Sequence, residues 1–215
     1  KDPKLYPTWY KQEHKSPGLL PTAVYGLTEI YRDDIKHAQL VANPGCYPVS
    51  IILGCAPLFK NKLVDPANIV VDSMSGISGA GRNQQEEYLY CEREGNIKPY
   101  NVGTHRHTPE MEQELGNLAG EEVLLTFAPY LAPMERGIIS TIYLFLKEEH
   151  RALSLSDLYD LYNKFYKGEP FIRIRTLDKL STEYVAYTNF CDIGLFADSR
   201  KPGRIVVCLL YTSPS

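Results

Sequence analysis

The spacing of apolar residues along the chain predicts a mixed α/β domain. Apolar runs of strand length alternate with segments in which apolar residues recur every three or four positions, as on one face of a helix. The predicted elements follow the order β-α-β-α-β-α-β-β-α-β-β-β, and the last strands follow one another closely. This order predicts an α+β fold, in which helices pack on one face of a mixed, mostly antiparallel sheet.

The same pattern predicts the individual elements. Residues 40–42 are predicted to form a buried strand, which leads into a helix ending near residue 60. Residues 84–94 predict a charged helix, and long apolar strands are predicted at 123–130 and 138–146. Three further strands are predicted at 171–175, 190–197 and 204–208, the last two joined by a hairpin turn.

Composition and charge exclude several classes of protein. The chain has 215 residues and a net charge of −3, so it lacks the basic excess of a nucleic-acid-binding protein. No apolar run in the sequence reaches the roughly 18 residues of a membrane span. The five cysteines include no Cys-x-x-Cys pair, which argues against a disulfide framework and a thiolate zinc site. We therefore expect a cytoplasmic protein with no metal, nucleic-acid or membrane partner.

The strongest candidate for chemistry is Cys46, which lies in the stretch Asn43-Pro-Gly-Cys46-Tyr-Pro48. Pro48 suits the first turn of a helix, so Cys46 is predicted to lie at a helix N-terminus. Free backbone N–H groups and the helix dipole favour an anion there. Thiols in such positions have pKa values between roughly 3.5 and 7.5. The stretch predicts a reactive thiolate; the alternative is a small buried cysteine that only packs.

Two other stretches carry candidate functional groups. His105 and His107 follow a predicted strand, whose period of two would place both rings on the same side. A cysteine with a histidine is the minimum set for thiolate chemistry; the alternative is one structural and one exposed histidine. The glycine-rich loop 75–82 is a candidate cradle for a phosphate or an amide, although it matches no nucleotide-binding motif. Arg136, between two strands, is a candidate for pairing with a ligand anion.

Through these three stretches and several further motifs, the chain resembles the N-acetyl-γ-glutamyl-phosphate reductase family of arginine biosynthesis. The resemblance extends from Tyr25 to about Val207. It rests on six motifs in the family's order: Ala23-Val-Tyr-Gly-Leu27, Ala42-Asn-Pro-Gly-Cys-Tyr-Pro48, Ser75-Gly-Ile-Ser-Gly-Ala-Gly-Arg82, Val102-Gly-Thr-His-Arg-His-Thr-Pro-Glu110, Pro133-Met-Glu-Arg-Gly137 and Thr188-Asn-Phe-Cys-Asp-Ile-Gly194. Val49 and Ser50 stand where the family usually has Thr and then Gly or Ala.

The resemblance implies a domain organisation. Residues 41–208 are expected to form a domain like the C-terminal domain of glyceraldehyde-3-phosphate dehydrogenase, with the catalytic, substrate-binding and oligomer contacts. Residues 1–40 are expected to be the trailing part of a dinucleotide-binding domain and a linker, and residues 209–215 a non-native tail. The chain is thus expected to be a fragment that lacks most of the Rossmann domain for NADP(H) and the family's closing helix. We expect a homodimer or homotetramer.

The resemblance also implies a reaction. N-acetyl-L-glutamyl 5-phosphate would be reduced by NADPH to N-acetyl-L-glutamate 5-semialdehyde and phosphate through a thioester on Cys46, the third step of arginine biosynthesis from N-acetylglutamate. His105 is expected to be the general acid and base and to keep Cys46 ionised, with His107 the weaker candidate. The expected substrate-binding residues are His107, Tyr100, Arg106, Glu110 and Arg136, of which Tyr100 and Glu110 are also candidates for orienting the imidazole. The residues expected at the nicotinamide end of NADP(H) are Ser75, Gly76, Ser78 and Gly79.

Several alternatives stay open. Aspartate-semialdehyde dehydrogenase, or a reductase of carrier-bound aminoadipyl phosphate, would use the same chemistry on another substrate, and the motif His105-Arg-His-Thr-Pro-Glu110 argues against the former. A cysteine-histidine hydrolase or acyltransferase would need no nucleotide. The chain alone is expected to show no reductase activity, and could then serve as an oligomerisation and substrate-binding module.

Overall fold

A computed structural model describes residues 2–81 and 85–212 of the chain. Arg82, which ends the predicted glycine-rich loop, and residues 213–215 of the predicted tail lie outside these ranges. The described α-helices are α1 (Leu5–Tyr10), α2 (Thr28–His37), α3 (Cys46–Lys60), α4 (Tyr90–Arg93), α5 (Thr108–Ala119) and α6 (Leu155–Phe165). The described strands are β1 (Val24–Tyr25), β2 (Val41–Ala42), β3 (Ile69–Ser75), β4 (Lys98–Pro99), β5 (Leu125–Leu131), β6 (Ile138–Phe145), β7 (Ile172–Arg175), β8 (Cys191–Ala197) and β9 (Arg204–Tyr211).

Seven of these strands form one sheet in the order β4-β5-β3-β6-β9-β8-β7. The pairs β3–β5 and β7–β8 are parallel, and the other four neighbouring pairs are antiparallel. Strand β6 lies at the centre, where Ser140 is opposite Ser73 of β3 and Leu209 of β9. The predicted mixed, mostly antiparallel sheet is therefore confirmed.

Helices α3, α5 and α6 cover one face of this sheet. Helix α3 lies against β6 and β9, α5 packs on α3 and β5, and α6 contacts α3, β7 and β8. Of the 15 residues of α3, 12 are buried, so this helix is covered around its whole circumference. Gly54 allows α3 to approach the sheet closely, because a Cβ there would lie 2.9 Å from Ile142 Cδ1. The predicted packing of helices on one face is confirmed.

The opposite face of the sheet is partly exposed and largely apolar. Val70, Met74 and Tyr143 are 41%, 37% and 36% exposed, whereas their neighbours along β3 and β6 alternate with them in burial. Val70 pairs with Tyr143, and Tyr143 pairs in turn with Val206 of β9. We call the surface formed by Val70, Met74, Tyr143 and Val206 the open sheet face.

Three elements differ from their predictions. Residues 40–42 were expected to be buried, but among the described residues β2 pairs only with β1, in a separate parallel ribbon. Leu40 and Val41 are therefore 40% and 46% exposed. The predicted helix 84–94 is reduced, over its described part, to a 3-10 turn at Glu86–Tyr88 and the single turn α4, because short charged helices are marginal without a face to bury. Strand β9 continues to Tyr211, where its last residues pair with β6 and β8.

Candidate active site

Cys46 is the first residue of α3, where the sequence predicts it. Gly45 precedes the helix with φ −69° and ψ 154°, and its carbonyl accepts a hydrogen bond from Val49 N–H at 3.0 Å. Pro48 lies in the first turn, where a backbone N–H has no intrahelical partner to lose. The thiol is half-buried and lines a cleft.

The low thiol pKa that the sequence predicts is not found in this structure. Burial raises the pKa of Cys46 above its ordinary value, and the Glu110 carboxylate adds to the rise. The backbone N–H groups of Tyr47 and Cys46 lower the pKa, as does the Arg106 guanidinium. The desolvation of the charged form outweighs these groups. At neutral pH the thiol of Cys46 is therefore protonated.

His105 and His107 line the same cleft, and their ring centroids are 4.8 Å apart. The strand predicted to lead into them is shorter than expected, since β4 ends at Pro99. Asn101 and Gly103 have positive φ and turn the chain before α5 begins. The two rings lie close because the backbone N–H of His107 donates to His105 Nδ1 at 3.1 Å.

This hydrogen bond determines the tautomer of His105. Since Nδ1 accepts, the proton of the neutral ring is on Nε2. Burial lowers the pKa of His105 to about 4 and that of His107 to about 3, and Arg106 contributes to both shifts. Both rings are neutral at pH 7, so neither supplies a positive charge that would keep Cys46 ionised, as His105 was expected to do. His105 instead offers an N–H donor.

Two tyrosines form part of the cleft wall. The hydroxyls of Tyr47 and Tyr100 lie 2.8 Å apart, and the Tyr47 ring contacts both His105 and Phe127, with centroids 5.5 and 5.1 Å away. Tyr100 was predicted as a site residue, whereas Tyr47 was missed. Its position beside Cys46, in the first turn of the helix, is the signal that could have found it.

The cleft has a volume of about 550 Å³. Its described lining includes three cations, Lys11, Lys98 and Arg106, of which Lys98 pairs with Glu87 at 2.6 Å. Lys11 was missed because the N-terminal segment was assigned to another domain, and Lys98 because β4 is too short to be recognised. The predicted site residues that meet around this cleft are Cys46, Ser75, Gly79, Tyr100, His105, Arg106 and His107.

Glu110 is placed away from the cleft lining, although it was predicted to bind substrate or orient an imidazole. Its Oε1 accepts hydrogen bonds from Gly45 N–H at 2.9 Å and from the Tyr25 hydroxyl at 2.8 Å. It lines a smaller neighbouring cavity of about 210 Å³. Its contact is therefore with the peptide that precedes Cys46.

The glycine-rich loop is held against the protein's own backbone. The N–H groups of Gly76 and Ser78 donate to the carbonyls of Gly137 and Glu135 at 2.9 and 3.1 Å. A Cβ at Gly76 would lie 2.8 Å from the Glu135 carbonyl oxygen, so the close approach that this glycine permits is to the loop between β5 and β6. Those two N–H groups are thus already paired.

Arg136, which was predicted to bind an anion, lies beside Glu135 of its own loop and Tyr187 of the loop between β7 and β8. Its guanidinium lies 5.5 Å from the centre of the Tyr187 ring, and its Nε lies 3.8 Å from Glu135 Oε1. The described lining of the cleft does not include it. The exposed Tyr187 donates to the other oxygen of Glu135 at 2.7 Å, which completes this surface cluster.

No helix of the described residues is long and apolar enough to cross a membrane. Within the same ranges, no group of three or more His, Cys, Asp or Glu side chains is arranged to hold a metal ion.

Comparison with solved structures gives the fold. Aspartate semialdehyde dehydrogenase II from Vibrio cholerae has a TM-score of 0.69 at 11% identity, over 90% of this chain and 64% of that chain. The aspartate semialdehyde dehydrogenase from Francisella tularensis has a TM-score of 0.65 at 14% identity, over 89% and 66%. At such low identity the likeness concerns the fold alone, and it confirms the predicted fold class.

Comparison of sequences gives closer relatives. The chain is 52% identical over 208 residues to the N-acetyl-gamma-glutamyl-phosphate reductase of Geotalea daltonii, and 49% identical to the one of Acetivibrio thermocellus. These matches cover 96% of this chain but only 59% of each relative, so the chain spans about three fifths of their length. Residues 46–210 match the family model described as "Semialdehyde dehydrogenase, dimerisation domain". The chain therefore belongs to the semialdehyde dehydrogenase dimerisation-domain family.

Proposed function

We propose that this chain is the acyl-transfer part of an enzyme that reduces N-acetyl-L-glutamyl 5-phosphate to N-acetyl-L-glutamate 5-semialdehyde with NADPH, in arginine biosynthesis. The observation that carries the proposal is the cleft that Cys46 shares with two histidines and three cations. The 52% identity to a reductase of that name supports the choice of substrate. The fold shared with aspartate semialdehyde dehydrogenases supports the class of reaction but no substrate.

In the first step Cys46 Sγ attacks the acyl carbon, the bond from that carbon to the phosphate oxygen breaks, and a thioester forms. The proton of the thiol leaves on the departing hydrogen phosphate. Sulfur suits this step because it is strongly nucleophilic and forms a covalent intermediate that divides the reaction into two easier steps. Lys11, Lys98 and Arg106 would stabilise the phosphate, since charge-assisted hydrogen bonds to phosphate are strong.

NADPH, when bound, supplies the hydride that reduces the thioester. His105 then donates a hydrogen bond from Nε2–H to the oxyanion of the hemithioacetal on Cys46 and keeps its proton, and the hemithioacetal collapses to the aldehyde and a thiolate. One solvent proton restores the thiol. This donation requires a neutral ring with its proton on Nε2, the form that the hydrogen bond at Nδ1 supports. His107 and Tyr100 line the cleft and would contact the substrate.

The cofactor contacts within this chain are proposed at Ser75 and Gly79. Both line the cleft, and a Cβ at Gly79 would lie 2.8 Å from Ser75 Oγ, so a larger residue at Gly79 would crowd the Ser75 hydroxyl. Gly76 and Ser78 fit less well as direct contacts, because their N–H groups are paired with the loop between β5 and β6. They would shape the loop that presents Ser75 and Gly79.

We also propose that the open sheet face forms the contact between two copies of the chain, in the cytoplasm. A family named for its dimerisation domain supports an oligomer. Exposed Val70, Met74 and Tyr143 support the choice of this face, because large apolar patches mark interaction sites. Val70→Glu should raise the monomer fraction in analytical ultracentrifugation at least tenfold; an unchanged dimer would exclude this face.

The proposed location in the cytoplasm is supported by the five unpaired cysteines, because free thiols are typical of a reducing compartment.

The substrate assignment is tested by the covalent step, which needs no cofactor. The chain is mixed with N-acetylglutamyl phosphate, aspartyl phosphate or a carrier-bound aminoadipyl phosphate, and acylation of Cys46 is followed by mass spectrometry. We expect the first to react at least tenfold faster than the others, and Cys46→Ser to abolish the adduct. Equal rates with all three would refute the assignment. The chain alone should not oxidise NADPH measurably, because it spans only about three fifths of the length of the reductases that it matches.

A further inference from the structure

Glu110 makes a contact that the reaction above does not use. Its Oε1 accepts hydrogen bonds from Gly45 N–H at 2.9 Å and from the Tyr25 hydroxyl at 2.8 Å. The two donors are 65 and 85 residues away in the chain. A single carboxylate oxygen of α5 therefore joins β1 to the peptide immediately before the nucleophile.

His107 holds Gly45 on a second side. A Cβ at Gly45 would lie 2.6, 2.7 and 3.0 Å from three atoms of the imidazole ring, closer than side chains approach one another. The φ of Gly45 is −69°, which any residue adopts, so glycine is needed here for space. The nitrogen and the α-carbon of Gly45 are thus fixed by two residues that lie three positions apart at the start of α5.

The chemistry of Glu110 suits a positional role. It lies in the first turn of α5, where the helix dipole favours a carboxylate. Burial raises its pKa, while the bonds from Gly45 and Tyr25 lower it. Burial and the neighbouring carboxylate raise the pKa of Tyr25 well above its ordinary value, so this hydroxyl remains a donor. Glu110 lines the cavity beside Tyr25 and Asn43, and is absent from the described lining of the cleft.

We propose that Glu110 is a positioning residue, which sets the orientation of the Cys46 thiol by holding the Gly45 peptide, and that Tyr25 couples this hold to the N-terminal segment. The proposal rests on the proposed function, because orientation matters when Cys46 must meet an acyl carbon. A displacement of about 1 Å can lower the rate of such a step about a hundredfold. What the contact requires is a hydrogen-bond acceptor and not a charge, so glutamine should replace glutamate.

The test compares Glu110→Ala, Glu110→Gln and Tyr25→Phe in the whole chain by two rates at Cys46. The first is acylation by N-acetylglutamyl phosphate, which needs an oriented thiol. The second is alkylation by iodoacetamide at a pH where the thiol is fully ionised, which needs only access. In Glu110→Ala we expect acylation to fall at least tenfold and alkylation to rise at least threefold, because the turn opens. Glu110→Gln should keep both rates within threefold of the parent, and Tyr25→Phe should show a smaller loss of acylation.

A fall in acylation together with a rise in alkylation at Cys46 is expected from a positional role. Unfolding would raise the alkylation of buried Cys55 as well, so this second cysteine separates the two explanations. If Glu110→Gln loses acylation as fully as Glu110→Ala, the carboxylate acts through its charge and the proposal fails. It also fails if folded Glu110→Ala keeps both rates. If the parent chain forms no thioester at all, the proposed acyl-transfer function fails. The positioning role of Glu110 is then tested by the alkylation rate of Cys46 and by hydrogen exchange at the Gly45 amide. That exchange should quicken at least tenfold in Glu110→Ala and stay unchanged in Glu110→Gln.

Discussion

The first turn of α3 is held at its two ends by different chemistry. At the end beside the cleft, Gly45 is fixed by the Glu110 carboxylate and by the ring of His107. At the end facing the sheet, Ser50 Oγ donates to the carbonyl of Tyr47 at 2.9 Å. The first contact is made by ionisable groups close to solvent, and the second by neutral hydroxyls inside the core.

The hydroxyls extend from the helix into the sheet. Ser50 Oγ lies 2.8 Å from Ser140 Oγ, which lies 2.7 Å from Ser73 Oγ, and all three residues are fully buried. A hydroxyl has one proton, and that of Ser50 is used on Tyr47. Ser140 must therefore donate to Ser50, and Ser73 to Ser140. In this row of three hydroxyls, each O–H group therefore donates in the direction of α3.

The difference between the two ends concerns what can disturb them. The cleft end can respond to pH and to a charged ligand, because Glu110 and His107 titrate. The neighbouring His105 titrates as well, and the pKa values of both histidines are well below the ordinary value. The sheet end contains no titratable group, and can be disturbed only by loss of a hydrogen bond. Three changes should separate the two, in decreasing order of effect.

Acid should weaken the cleft end most. The pKa of His105 is about 4 in the folded chain, against about 6.5 when unfolded. The folded state binds the proton less readily, so the stabilising contribution is fully present above pH 6.5 and is lost as the pH falls towards 4. For this 7% exposed residue the loss amounts to at most about 3 kcal/mol. Urea unfolding between these pH values should show it.

His105→Gln provides the control, because glutamine keeps a polar side chain but does not titrate. In this variant the loss of unfolding free energy between pH 6.5 and 4 should shrink by up to about half, because His107, whose pKa is about 3, still resists protonation over the same range. Carboxylates with lowered pKa values, such as Asp65, lose their contribution mainly at the acid end of that range. An equal loss in parent and variant would mean that His105 accepts its proton without strain on the fold.

The second largest effect on unfolding free energy is expected from crowding at the cleft end. Gly45→Ala places a methyl group 2.6 Å from His107 Nε2, so the ring or the turn must move. Overpacking of this kind costs about 2 kcal/mol in unfolding free energy, measured by urea denaturation. Gly18→Ala is the matched control, since nothing lies within 4 Å of a Cβ there, and it should change stability little. In a His107→Ala background the cost of Gly45→Ala should disappear; if it persists, His107 is not what excludes the side chain.

The sequence could predict one part of this site and not the other. The start of α3 at Cys46 is local, because Pro48 and the apolar spacing that follows determine it. The helix-packed sheet follows from the order and length of the apolar runs. The thiol and histidine pKa values could not be predicted, because burial by distant segments dominates them. Likewise, the Glu110–Gly45 contact joins residues 65 positions apart, and no spacing rule marks it.

The sheet end should show the smallest effects, in an order set by the direction of the hydroxyl protons. Ser140→Ala leaves the Ser73 proton without an acceptor inside the core, and should cost about 1.5 kcal/mol in unfolding free energy. Ser73→Ala removes only the first donor, while Ser140 still donates to Ser50, so it should cost less than about 1 kcal/mol. Both variants remove the same oxygen atom from fully buried positions on neighbouring strands, so each controls for the other in urea denaturation. Equal costs would mean that the protons do not point towards the helix. Neither variant should change alkylation of Cys46 as Glu110→Ala does, since the turn keeps its hold at Gly45.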